Sequence, residues 1–255
     1  MPAILEAKEM EKFYGSEKTE RHQVLKNINL SVEKGEFVSV MGPSGSGKST
    51  LLYNVSGMDA VSSGSVFFGG EQISSLPEKK LAQLRLTRMG FIFQHIHLLK
   101  NLNLLDNIVL SAYLAKSDSR DAVNRRAEAL MKQTGIDTLA SNDITQASGG
   151  QLQRVAICRA LINRPDILFG DEPTGALNSK STQEIMDILG EINENGTTIL
   201  LVTHDVRVAA RSERVLFMLD GALTAERNMG KYVKGEDDLK TRENELSGWL
   251  AEMGF

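Results

Sequence analysis

The chain has 255 residues, 41% of them apolar and 24% charged. That is enough apolar matter for a sizeable core and an ordinary charge content, which excludes bulk disorder. The formal net charge of −4 argues against a general nucleic-acid binder, which needs a basic excess to neutralise phosphates. A single cysteine, Cys158, closes no intramolecular disulfide and gives no sign of an oxidising compartment.

Met1 to Met10 carries Glu6 and Glu9 and no long apolar stretch, so no secretory signal is expected there. Residues 24–40 hold two apolar runs joined by Glu33-Lys34-Gly35-Glu36, the signal of a β-hairpin. Four short apolar runs follow at Phe37–Met41, Phe91–Phe93, Ile167–Phe169 and Ile199–Val202. Unbroken runs of this length suit strands covered on both faces, as in a parallel sheet. With helical stretches between them, an α/β fold is expected. From about Pro77 to Ser141 the character changes, and strand signals fade after Phe93. Residues 119–134 read as a helix with Ala122, Val123, Ala129 and Leu130 inward. This is a helical insertion, placed at about 95–160.

Residues 215–224 carry Asp220-Gly221, a strong two-residue turn between antiparallel strands. The longest unbroken apolar run is Val215–Leu219, far short of the roughly 20 residues that span a bilayer. The expected compartment is the cytoplasm. The domain is drawn over residues 1–225, with a charged, partly helical extension over 226–255. In that extension Leu239, Leu246, Trp249, Leu250 and Met253 can share one helix face. The face either docks on its own domain or binds a partner.

Gly42-Pro43-Ser44-Gly45-Ser46-Gly47-Lys48-Ser49 fits G-x-x-x-x-G-K-[ST] at every fixed position. It follows the strand Phe37–Met41 and precedes a helical run from Thr50 to Ser56. The glycines let successive N–H groups turn toward phosphate oxygens, and the helix adds its positive end. Lys48 is expected to reach the β- and γ-phosphates, and the Ser49 hydroxyl to ligate Mg²⁺.

Ile167–Glu172 is an apolar strand ending in two carboxylates. Ligands of open α/β sheets collect at such strand ends. Asp171 is expected to hold Mg²⁺, mainly through water, and Glu172 to polarise or orient the water that attacks the γ-phosphate. His204 sits just past the run Ile199–Val202. There it can bond a γ-phosphate oxygen, although a lone histidine is more often structural. Ser148-Gly149-Gly150-Gln151 lies 23 positions before Asp171. Ser148 is placed to cap a helix, and the glycines expose N–H groups, so the segment reads as a second anion site.

That segment resembles the signature of ATP-binding cassette (ABC) ATPases, and the resemblance covers about residues 4–225. It implies a P-loop NTPase core with a mostly parallel sheet, an N-terminal antiparallel β subdomain and the helical insertion. It also implies that each signature closes over the ATP held by a second copy, in a head-to-tail dimer. Tyr14 resembles the aromatic that stacks on adenine. Gln94 resembles the glutamine that contacts Mg²⁺ or the attacking water, and His204 matches the switch histidine. Gly175-Ala176-Leu177-Asn178 matches the segment after the catalytic glutamate. Two departures stand out. Ala147 replaces the usual leucine. Asn178 replaces an aspartate that bridges to the opposite phosphate loop, or else simply caps the helix that follows.

The run GPSGSGKSTLL, GFIFQ before Leu98-Leu99, GDEPTGAL and VTHD together resemble one branch of the family. Its members power lipoprotein release, macrolide export and resistance to antimicrobial peptides of the bacitracin or lantibiotic type. The tail fits the peptide-resistance group best. The partners so implied are an integral membrane permease subunit and a second copy of the chain, with no nucleic acid. The chain would sit peripherally at the cytoplasmic face of the membrane, and residues near Gln94 to Leu110 would pass motion to the permease. The rivals are a soluble ABC ATPase outside transport, and a non-hydrolysing regulatory subunit suggested by Asn178. A P-loop kinase or GTPase is disfavoured, because no Asn-Lys-x-Asp segment is present.

Overall fold

The computed structural model describes residues 3–15, 21–235 and 238–255. In chain order the elements are β1 (Ala3–Tyr14), β2 (His22–Glu33), β3 (Phe37–Met41), α1 (Lys48–Val55), β4 (Ser63–Phe68), β5 (Glu71–Gln72) and α2 (Glu78–Arg88). Then come β6 (Met89–Phe93), α3 (Leu104–Ala115), α4 (Arg120–Gln133), α5 (Gly149–Leu161), β7 (Ile167–Asp171) and α6 (Ser179–Glu194). The chain closes with β8 (Thr198–Val202), α7 (Val206–Ala209), β9 (Arg214–Leu219), β10 (Ala222–Asn228) and α8 (Leu239–Glu252). Two compact units result: Met1–Leu81 with Thr198–Phe255, and Ala82–Thr197.

The first unit holds an antiparallel sheet in the order β2-β1-β4-β5. In β2, Leu25, Ile28, Leu30 and Val32 are buried while Lys26, Asn27, Asn29 and Ser31 are exposed. That is the alternation of a strand with one covered face. In a second set of strands, β3 lies parallel to both β8 and β9, and β10 returns antiparallel along β9. Every residue of β3 and β8 is buried, which explains why eight of their ten residues are apolar. Asp220 and Gly221 both take positive φ (48° and 83°), as the tight turn between β9 and β10 demands.

The segment 24–40 is not a hairpin. β2 pairs with β1, whereas β3 pairs with β8 and β9. The turn Glu33–Glu36 only redirects the chain, closed by the Glu36 amide donating to the Glu33 carbonyl at 3.2 Å. The reason is burial. A one-faced alternating strand and a two-faced apolar strand cannot share the same environment. The buried Glu36 carboxylate then ties this turn to the start of β9, accepting from Arg214 Nε at 2.6 Å.

α8 is part of the same unit. Leu246, Trp249 and Leu250 pack with Met41, Phe217 and Ala209, and the Trp249 ring meets the Phe217 ring edge-on at 6.3 Å. The nearly buried Arg242 guanidinium donates to the carbonyls of Ala210, Ser212, Met229 and Gly230 at 2.8–2.9 Å. Residues 236 and 237 of the extension lie outside the described residues. Among the described residues no helix is long and apolar enough to cross a membrane.

In the second unit β6 runs parallel to β7, from Met89 beside Ile167 to Phe93 beside Asp171. The Phe91 and Phe169 rings stack at 5.4 Å. Helices α3, α4 and α5 enclose a core that includes Ile108, Ala112, Ala127, Val155 and Cys158. The inward face of α4 is Val123, Ala127 and Met131. Ala129 is exposed, and Ala122 and Leu130 are only partly covered. A four-residue step keeps those three side chains on one stripe. The small Ala127 at its centre fits between two flanking larger side chains.

Candidate functional site

The phosphate loop occupies residues 42–49 between β3 and α1. Gly42 (φ 153°) and Gly47 (φ 102°) adopt backbone conformations that L side chains rarely reach. A methyl at 42 would also fall 2.0 Å from the Met218 carbonyl oxygen. Gly47 caps α1, its carbonyl accepting from the Leu51 amide at 2.8 Å. The Lys48 ammonium is buried and donates to the Gly42 and Pro43 carbonyls, both at 2.8 Å. It is thus held against the carbonyls that open the loop. Ser46 Oγ is buried and makes no hydrogen bond, an orphan polar atom of the kind that an anionic ligand satisfies. Loop, ammonium and orphan hydroxyl together suit a polyphosphate. Ser44 and Gly45 lie exposed on the turn, and Ser49 and Thr50 open the first turn of α1.

Tyr14 ends β1 with 44% of its surface exposed. Its hydroxyl donates to Asp59 Oδ2 at 2.6 Å. Burial raises the Tyr14 phenol, and the Asp59 carboxylate raises it further.

His204 follows β8 and is exposed. The chain is shaped there by Thr203, whose amide donates to the Val40 carbonyl and whose Oγ1 accepts from the Asp205 amide at 3.0 Å. Asp205 caps α7 and pairs with Arg207 Nη2 at 2.7 Å. A cleft of about 500 Å³ is lined by His204, Asp205 and Arg207 on one side and by Lys240, Glu243 and Ser247 of α8 on the other.

The second unit carries the other candidate residues. Asp171 ends β7, and Glu172 takes φ 47°. A non-glycine residue in the left-handed region is strained by about 1 kcal/mol or more, and such strain clusters at functional sites. The side chains of Gln94, just beyond β6, and of Glu172 both converge on Gly175.

Ser148 caps α5. Its Oγ accepts from the Gln151 amide at 3.4 Å, and the Gln151 side chain accepts from the Ser148 amide at 2.8 Å. This is a capping box. Asn178 caps α6 through the Ser181 amide at 2.9 Å. A methyl at Gly150 would lie 3.0 Å from Ser181 Oγ, and one at Gly149 would lie 3.7 Å from Leu177. The two capped helix starts therefore abut, with glycines at the seam.

Within the first unit Tyr14, residues 42–50 and His204 stand on separate elements, at the end of β1, between β3 and α1 with its first turn, and just after β8. Within the second the structure brings together Gln94 with Glu172 around Gly175, and Ser148–Gln151 with Asn178. Sequence reasoning missed Lys12 and Asp59 beside Tyr14. Lys12 was legible as the same-face neighbour of Tyr14 on a strand. Asp59 lies 45 residues further on and left no local signal.

The profile of the family described as ABC transporter matches residues 25–175. The lipoprotein-releasing system ATP-binding protein LolD of Aquifex aeolicus is 44% identical over 205 residues, 80% of this chain and 91% of that protein. The bacitracin export ATP-binding protein BceA of Halalkalibacterium halodurans is 43% identical over 229 residues, 89% of this chain and 90% of that protein. The chain spans about a third of the length of the macrolide export ATP-binding/permease proteins that it also matches, between 31% and 38%. A dimeric ATP-binding cassette solved in a post-hydrolysis state with ADP and Pi superposes with a TM-score of 0.83 at 37% identity, over 90% of this chain and 100% of that one. The chain belongs to the ABC transporter family and has the fold of its ATP-binding cassettes.

Proposed function

We propose that this chain binds and hydrolyses ATP as the nucleotide-driven subunit of a membrane ABC transporter. The observation that carries the reading is the glycine-rich loop between β3 and α1, where Gly42 and Gly47 take positive φ, Lys48 is buried against the loop carbonyls and Ser46 Oγ is buried without a partner. Residues 42–50 take the triphosphate and Tyr14 stacks on the base. Glu172 accepts a proton from the attacking water or orients it, with Gln94 beside it. His204 contacts the γ-phosphate oxygen. Ser49, Asp171 and Gln94 offer hard oxygen donors of the sort that Mg²⁺ takes, and the bound ion supplies charge neutralisation on the phosphates.

The segment Ser148, Gly149, Gly150 and Gln151 meets the γ-phosphate held by a second copy, with the Gly149 and Gly150 N–H groups at the helix start and the capping box of Ser148 and Gln151 holding that start in shape. ATP then joins the head-to-tail dimer and its hydrolysis loosens it, because only the intact triphosphate spans both copies. The partner is an integral membrane permease subunit, with this chain at the cytoplasmic face. The transported class is a hydrophobic or peptide substrate, with antimicrobial-peptide resistance favoured. The likeness to a bacitracin export protein over nine-tenths of both chains supports it. Lipoprotein release or macrolide export is the alternative.

Phosphate release from Mg-ATP by the complex extracted with its permease in mild detergent tests the reading. Bacitracin-type peptide should stimulate release. A complex that binds ATP but releases no phosphate under any substrate would identify a regulatory subunit instead.

A further inference from the structure

Tyr14 is not free to turn. Lys12 is only 7% exposed and lies two positions earlier on β1, hence on the same face. Its ammonium donates to Asp59 Oδ1 at 2.7 Å and to the Ala60 carbonyl at 2.6 Å. The same ammonium sits 4.7 Å from the centroid of the Tyr14 ring. The other oxygen of that carboxylate, Asp59 Oδ2, accepts from the Tyr14 hydroxyl at 2.6 Å. One carboxylate thus grips the ammonium with one oxygen and the phenol with the other. Asp59 is itself fixed, because its amide donates at 3.0 Å to the carbonyl of Tyr53 in α1, the helix that starts in the phosphate loop.

We propose that Lys12 and Asp59 are positioning residues for the nucleobase, clamping Tyr14 as a preformed stacking platform and confining the base to the ring face opposite Lys12. The inference rests on the reading of Tyr14 as the stacking residue. A tyrosine at a strand end would otherwise lose side-chain freedom on each binding event. The clamp removes that cost beforehand. The cation also draws π density toward its own face, which favours an electron-rich purine on the other. Burial works to raise the Asp59 carboxyl, but the bonds from Lys12 and Tyr14 outweigh it and hold it below the usual value. It therefore stays an anion at neutral pH. Stacking reads the π-face of any base, so the clamp serves nucleoside triphosphates as a class and contributes nothing to a bare triphosphate.

Calorimetry on the full chain with ATP and with inorganic tripolyphosphate tests this. Lys12→Met and Asp59→Asn should each weaken ATP by about three- to tenfold and leave tripolyphosphate unchanged. In the permease complex KM for ATP should rise with kcat unaltered. Lys12→Arg, which keeps the cation, should restore most of the affinity. In a Tyr14→Ala background neither substitution should cost anything further. Equal losses for ATP and tripolyphosphate would overturn the proposal, as would a full penalty that persists without the Tyr14 ring. If Tyr14→Ala weakens ATP but Lys12→Met and Asp59→Asn do not, the clamp fails and the stacking role stands. If Tyr14→Ala leaves ATP affinity intact, the stacking role itself falls. Asp59 is partly exposed, so Asp59→Asn serves should Lys12→Met not fold.

Discussion

The side chains of Gln94 and Glu172 both crowd Gly175: a methyl placed there would lie 3.1 Å from Gln94 Nε2 and 3.2 Å from Glu172 Oε2. Both contacts are tighter than ordinary van der Waals distance, so any side chain at 175 must push one of them aside. Gly175→Val is expected to slow phosphate release on the order of tenfold, since small misplacements of reacting groups are costly. ATP binding should be spared. Glu172→Gln removes the carboxylate proposed to act on the attacking water and should slow turnover about 10²–10⁴-fold. ATP affinity should persist, with a dimer trapped in size-exclusion chromatography. Normal steady-state hydrolysis by Glu172→Gln would remove the assigned role.

In the proposed function Lys48 acts earlier, in binding. Its ammonium is the buried cation held against the phosphate loop. A charge-assisted hydrogen bond is worth about 1.5–3 kcal/mol, so Lys48→Ala should weaken ATP by roughly tenfold or more. Titration calorimetry measures this directly. Unchanged affinity would mean that the ammonium does not meet the phosphates.

Arg242 fixes α8 to the rest of its unit through four carbonyls. Arg242→Ala strips those buried acceptors of their donor. A loss of about 3 kcal/mol is expected, read from the urea midpoint. Amides of α8 should exchange faster than those of β3. A variant as stable as the parent would show that the apolar contacts of Leu246 and Trp249 suffice alone.

Asp205 makes part of the fold depend on pH. Burial works to raise its carboxyl, but hydrogen bonds from the Arg207 side chain and amide outweigh this and hold it below its ordinary value. A carboxyl lower in the folded state contributes stability above its unfolded value and loses it as pH falls through the folded one. Asp205→Asn should therefore cost under about 1 kcal/mol at pH 7, because Arg207 is largely exposed. The deficit should close below about pH 4. Urea midpoints at pH 7 and pH 3 decide it, and an equal deficit at both would contradict the pairing.

Cys158 is fully buried, and burial pushes its thiol up to about 12. At pH 8 it is a shielded thiol and not a nucleophile. Iodoacetamide should label it in urea and leave the folded chain untouched. Rapid labelling without denaturant would indicate that the helical core around it opens.

The local settings of the segments proposed to carry the chemistry were legible because each is local. Gly42–Ser49 needs only a strand before it and a helix after it, and Ser148 announces α5 by its own capping pattern. The apolar runs of β3, β7 and β8 likewise declare strands covered on both faces, since burial on both sides leaves no room for polar alternation. Asp220-Gly221 declares its turn because two consecutive positive φ angles demand such residues. What tertiary structure alone decided is which distant partner each segment takes. β2 and β3 are neighbours in sequence and join different sheets, because pairing follows the match of buried faces and not proximity along the chain. The inward stripe of α4 was set by α3 and α5 and not by its own alanines. The grip of Asp59 on Lys12 and Tyr14, the convergence of Gln94 and Glu172 on Gly175, and the anchoring of Arg242 join residues 12 to 78 positions apart. No periodicity within a single element encodes such distances, because they arise only once separate elements pack and exclude water between them.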